Sequence, residues 1–107
     1  MEKVVRIEAV ALDISEHGAK LEVGTPIGVG QAVAVEFRSR KDGAPIIVPG
    51  KVAWSDEATE VGETPTWVIG VDFAGVRWHL SERVGLAEEE PGARPRAVPC
   101  VLRTACP

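Results

Sequence analysis

The sequence predicts an all-β fold, a small antiparallel β-barrel with one short C-terminal helix. Three observations predict it. Apolar residues recur with period two over five or six short segments. Turn residues separate those segments every 8–12 positions or so, as in sandwiches and barrels. No helical stretch lies between successive strands, which excludes a parallel βαβ architecture. The 107 residues suit one domain, and 45% hydrophobic with 26% charged residues is an ordinary globular composition.

The first strand is expected over about 4–13, where Val5, Ile7, Ala9 and Ala11 alternate with Val4, Arg6, Glu8, Val10 and Leu12. Ser15-Glu16-His17-Gly18 reads as a turn, followed by a short strand over 19–23. Gly24, Pro26, Gly28 and Gly30 then break the chain. The next strand runs over about 31–38, with Val33, Val35 and Phe37 on one face. Asp42-Gly43 supplies the positive φ of a hairpin loop, and a strand returns over about 45–55. Pro49-Gly50 within it suggests a bulge or an edge position, after which Val52 and Trp54 share the inner face. The clearest strand is 66–73, where Trp67, Ile69, Val71 and Phe73 all point to the core.

After Gly75 the period changes. Val76, Leu80 and Val84 stand four apart and predict a short amphipathic helix over about 77–88. From Glu88 the chain carries four prolines and no periodicity. The expected division is therefore a barrel domain, 1–87, and a flexible Pro-rich tail, 88–107. Cys100 and Cys106 fall in that tail and read as two reduced thiols. Two cysteines and two distant histidines do not make a metal site, so none is expected.

Composition narrows the function. Sixteen acidic against 12 basic residues give a net charge of −4, which argues against a nucleic-acid-backbone binder. No apolar run approaches the ~18 residues of a membrane span. The N-terminal MEKVVRIEAV has no signal-peptide core, so a cytoplasmic location is expected. No nucleophile–base pair and no phosphate-binding glycine loop stand out: Gly24, Gly28 and Gly30 precede a strand, not a helix. An enzyme is not expected, nor a cofactor.

The informative segment is Asp13-Ile14-Ser15-Glu16-His17-Gly18-Ala19-Lys20-Leu21. Asp13 and Ser15 are two apart and project from one face of an extended chain. A carboxylate there matches the adjacent N–H donors of a guanine edge, and Ser15 adds a second polar contact. Gly18 lets the backbone turn and a ligand approach. An ordinary turn uses the same residues, since Asp and Ser bond nearby backbone N–H groups and Gly supplies φ > 0. The residues alone leave both readings open and favour the turn.

The segment resembles the PilZ domain family, whose motif D/N-x-S-x-x-G is matched by Asp13, Ser15 and Gly18. Gly50-Lys51-Val52-Ala53-Trp54 is similar to the family's G-x-V-x-W strand, and Gly70-Val71-Asp72-Phe73 to its G-V-x-F strand. The resemblance spans about residues 4–86. It implies a small barrel serving as a receptor for the bacterial messenger cyclic di-GMP and acting on a partner protein. Asp13 and Ser15 would contact a guanine over the Gly18 turn. The family's other binding element, R-x-x-x-R, grips phosphates and stacks on guanines with planar cations. Here the only cations ahead of Asp13 are Lys3 and Arg6, so no such pair precedes the motif. Arg6 is the one arginine there and is the candidate phosphate contact.

Two expectations follow. One is a PilZ-type cyclic di-GMP receptor module whose binding is weak or lost without the arginine pair. The other is a degenerate PilZ adaptor that contacts proteins and no longer binds nucleotide. Arg38, Arg40 and Lys41 read as a solvated hairpin tip, and Trp78 as helix packing on the barrel.

Overall fold

The computed structural model describes residues 3–58, 64–85 and 97–106. Period-two patterning produces six strands there: β1 (Lys3–Ile14), β2 (Gly18–Val23), β3 (Ala32–Arg38), β4 (Pro45–Glu57), β5 (Trp67–Phe73) and β6 (Val98–Cys106). One short helix, α1 (Leu80–Val84), lies between β5 and β6. The strands pair antiparallel in the order β1-β2-β5-β4-β3-β6 and close into a barrel. The all-β class agrees with the sequence reading, and the first five strands agree to within one residue at each end, but for two further residues at the end of β4.

The barrel is filled by the inward half of each alternation. Val33, Val35 and Phe37 of β3, Val52 of β4, and Ile69, Val71 and Phe73 of β5 are buried, as expected. Ala9, Ala11, Leu21, Val23 and Val48 join them, and Leu80 and Val84 of α1 close the same core. Trp67 is half-buried and packs against this cluster.

Four expectations need correction. The tail expected to be flexible contains β6, which pairs with β1 from Lys3↔Cys106 to Ala11↔Val98 and with β3 from Val33↔Thr104 to Glu36↔Val101. Its inward residues are the half-buried Val98 and the buried Cys100, Leu102 and Thr104, and Leu102 has no exposed surface. With a thiol and a hydroxyl at two of four inward positions, the apolar alternation is too sparse to read. Thr104 tolerates burial because its hydroxyl donates to the Ala32 carbonyl (3.4 Å) and accepts from the Gln31 amide. The rest of the expected tail, 88–97, lies outside the described residues save Ala97.

Trp54 is the second correction. It is 41% exposed rather than in the core. Val52 stands opposite Val71, yet Trp54 stands opposite Gly70, so β4 spends one extra residue against β5. That bulge reverses the alternation and turns Trp54 outward. The third concerns Pro49-Gly50. β4 has a strand on both sides and is no edge, and its bulge lies farther along. Pro49 sits where pairing with β5 starts, and its carbonyl accepts the Ala74 N–H at 2.9 Å. The fourth is the helix, five residues long instead of twelve. His79 adopts a left-handed φ of 59° and blocks helix to its N-terminal side, and Gly85 (φ 81°) ends it.

On the outer face, Glu36 is only 6% exposed. Arg103 of β6 donates to its Oε1 at 2.5 Å, while Arg38 and Arg6 approach Oε2 at 3.6 and 3.9 Å. Three arginines from three strands thus converge on one carboxylate. On the inner face, Cys100 is buried opposite Ala9 and unpaired, not in a loose segment. Burial pushes its thiol up to about 12 from 9.0, against a smaller opposing hydrogen bond to the Ala11 backbone. The unfolded chain therefore releases this proton near 9 while the folded chain holds it. Stability should fall as pH rises from about 9 toward 12, by roughly 1.4 kcal/mol per unit. Urea midpoints between pH 8 and 10.5 check this: the slope should flatten in Cys100→Ala, and an equal slope in both chains would refute it.

Candidate functional site

The site begins at a second bulge. On β1, Ala11 stands opposite Leu21, but Asp13 stands opposite Lys20 and Ile14 opposite Ala19. Strict alternation from the buried Ala9 and Ala11 would have put Asp13 inside the barrel. The extra residue sends Asp13 outward and Ile14 inward, where Ile14 is buried. Asp13 is exposed, and no hydrogen bond or ion pair engages its carboxylate among the described residues.

Ser15 shapes the turn that follows. Its Oγ accepts the N–H groups of His17 (3.2 Å) and Gly18 (3.1 Å), and its own N–H donates to the Gly18 carbonyl at 2.8 Å. The hydroxyl in turn donates to that carbonyl at 3.3 Å. So the turn reading holds for Ser15 and fails for Asp13. Gly18 is required for a different reason than expected. It does not use a positive φ. A Cβ at this position would collide with the backbone carbonyl of Val71 on β5. The partner that approaches Gly18 closely is therefore the neighbouring strand.

The turn is tied to the segment after β5. The His17 carbonyl accepts the Phe73 N–H (2.8 Å) and the Glu16 carbonyl accepts the Arg77 N–H (2.7 Å). The Glu16 carboxylate accepts the His79 N–H at 3.0 Å. These bonds fix the segment ahead of α1 against the turn. They also present Trp78, 68% exposed, beside the turn instead of packing it on the barrel. Nothing in the sequence distinguishes Glu16 beyond its being a carboxylate within the turn. His17 is exposed.

Arg6 does not join this group. It lies seven residues before Asp13 along β1, about 23 Å at strand rise. Its guanidinium faces Glu36 instead. The hairpin cations also separate. Arg38 is drawn to Glu36 and donates to the Gly43 carbonyl (3.3 Å), and the Arg40 N–H bonds the Arg83 carbonyl (2.7 Å). Among the described residues no cluster of His, Cys, Asp and Glu is arranged to hold a metal ion, and no helix is long and apolar enough to cross a membrane.

Asp13, Ser15 and Gly18 are thus brought together at one end of β1, with the carboxylate left available. Comparison with curated proteins and with solved structures returns no match. The family model for the PilZ domain matches residues 2–87, from the first strand through the helix and including the turn. The chain belongs to the PilZ domain family.

Proposed function

We propose that this chain is a cytoplasmic receptor module that binds cyclic di-GMP at the Asp13 turn and alters the contacts of a partner protein. It is a binding module, not an enzyme. The observation that carries this is the Asp13 carboxylate: a bulge aims it at solvent, and the turn beside it is braced without its help. An ionised carboxylate accepts two N–H groups at once, which suits the N1–H and N2–H edge of guanine. The hydrogen bonds that Glu16 and His17 accept from the 73–79 segment give ligand binding a route to the exposed Trp78.

Binding is expected to be weak. Arg6 is turned to Glu36, and the guanidinium of Arg77, the arginine held at the turn, is directed to the Ala74 carbonyl (3.5 Å), so neither is set to take the two phosphates. Losing charge-assisted bonds of about 1.5–3 kcal/mol each moves a micromolar site toward millimolar. Calorimetry of the full chain with cyclic di-GMP should give a dissociation constant above roughly 1 μM, and Asp13→Ala should weaken it by roughly ten- to hundredfold. Equal affinity in the two chains, with the fold intact, would remove Asp13 from the site. The same diversion of Arg6 favours a second reading, an adaptor that has lost the nucleotide. No heat at millimolar ligand is the result that reading requires.

A further inference from the structure

The hairpin between β3 and β4 is more than a solvated tip. Its backbone is closed by the Ser39 N–H on the Ala44 carbonyl and the Gly43 N–H on the Ser39 carbonyl, both at 2.8 Å. The Asp42 carboxylate accepts the Ala44 N–H at 3.0 Å. The end of α1 is built onto this loop. The Arg83 carbonyl accepts the Arg40 N–H at 2.7 Å. A Cβ on Gly85 would stand 3.3 Å from Cδ of Arg40, so the aliphatic stem of Arg40 lies along the glycine that ends the helix.

Loop and helix together bound a cavity of about 520 Å³, lined by Ser39, Arg40, Lys41, Glu82 and Arg83. Among the described residues its walls carry three cations and one carboxylate, in a chain whose net charge is −4. The carboxylate, Glu82, approaches Nδ1 of His79 at 3.6 Å. Arg38, expected with the hairpin cations, is drawn to Glu36, and Arg83 arrives from the helix instead. The cavity is also tied to the Asp13 turn. Glu16 and His17 accept hydrogen bonds from the 73–79 segment, that segment runs into α1, and α1 ends on the hairpin. The helix between the two contacts rises only about 6 Å.

We propose that this cavity is where the partner protein docks, through a segment rich in Asp and Glu whose carboxylates enter between Lys41 and Arg83. The inference rests on the reading above for there being a partner, and names the chemistry that holds it. A guanidinium takes a carboxylate on two parallel N–H groups, and an ammonium adds a compact charge beside it. Such complementarity selects among partners and speeds their encounter more than it adds affinity. An anionic membrane is the other surface that three cations could meet, but a flat lipid face has no segment to enter a concave site. Cations near a helix C-terminus also balance its dipole. That alternative gives acidic segments no preference for these side chains over any other exposed lysine.

Fluorescence anisotropy of a labelled deca-glutamate peptide, titrated with the full chain, tests the cavity. The parent should bind at low salt and lose affinity as salt rises. Lys41→Glu should weaken binding severalfold, and Lys41→Glu with Arg83→Glu by roughly tenfold or more. Lys51→Glu makes the same change of charge at an exposed β4 position outside the cavity and should bind as the parent does. No binding by the parent, parent-like affinity in the double variant, or equal losses in Lys41→Glu and Lys51→Glu would overturn the proposal. Capture of the chain by phosphatidylserine vesicles without peptide binding would overturn it too. Thermal melts run in parallel. If the double variant loses its cooperative melt, Lys41→Glu decides, since its side chain is exposed on the loop, and parent-like affinity there overturns the proposal. Calorimetry of the parent with cyclic di-GMP keeps the two readings apart. Nucleotide binding without peptide binding overturns the docking site alone. Peptide binding without nucleotide binding overturns the Asp13 reading alone and supports docking by an adaptor.

Discussion

A chain cut after residue 87 is expected to lose cooperative folding, although the family match ends there. The cut removes β6, which pairs with two strands at once. Leu102, Cys100 and Thr104 leave the core, and a buried leucine alone is worth about 1.5–3 kcal/mol. The cut also opens two long edges, on β1 and β3, whose inner faces carry Ala9, Ala11, Val33, Val35 and Phe37. Domains of this size hold about 5–15 kcal/mol in total, so these losses together consume most of it. A thermal melt followed by circular dichroism checks the expectation, together with binding of a hydrophobic dye. A sigmoidal melt within a few degrees of the full chain would refute it.

Replacing Glu36 should be the most damaging single change on the outer surface. The carboxylate is 6% exposed and receives Arg103 at 2.5 Å. Arg6 and Arg38 are 60% and 63% exposed and lie farther off, so each adds little. Removing Glu36 strands the Arg103 guanidinium, whose Nε already lacks a hydrogen-bond partner, beside two like charges. Glu36→Ala should cost about 1–3 kcal/mol, less than for a fully buried pair, because the stranded Arg103 is 35% exposed and water reaches it. The double variant Glu36→Met, Arg103→Met should recover most of that, because apolar replacements of both partners can be neutral. Urea unfolding of the three chains measures it. A double variant no more stable than Glu36→Ala would place the cost elsewhere.

These two sites mark the boundary of what the residues disclosed. Strands β1 to β5 were legible because their inward positions hold Val, Ile, Phe, Leu and Ala at period two. β6 was not, because Pro99 interrupts it and Cys100 and Thr104 occupy inward positions. The two bulges were invisible for a related reason. A one-residue slip leaves the composition unchanged and alters only which face a residue takes. Hence Trp54, adjacent to Val52 in pattern, was assigned to the core, and its exposure appears only with the register Val52↔Val71 and Trp54↔Gly70. The site was legible as a triad of residue types. The sequence had no means of separating Ser15, which is spent on the turn, from Asp13, which is not.

The pairing of β1 with β6 has a temporal side. Val5 finds Thr104 and Val4 finds Ala105, partners about a hundred positions away. At roughly 5–20 residues per second of synthesis, the first strand waits on the order of 5–20 s for the strand that covers its outer edge. Contacts of such long range also make two-state folding slow once the chain is complete. During that interval β1 is an uncovered edge with an apolar face, open to pairing with another nascent chain. Arg6 and Glu8, exposed on the opposite face, are the kind of charges that hold such pairing off.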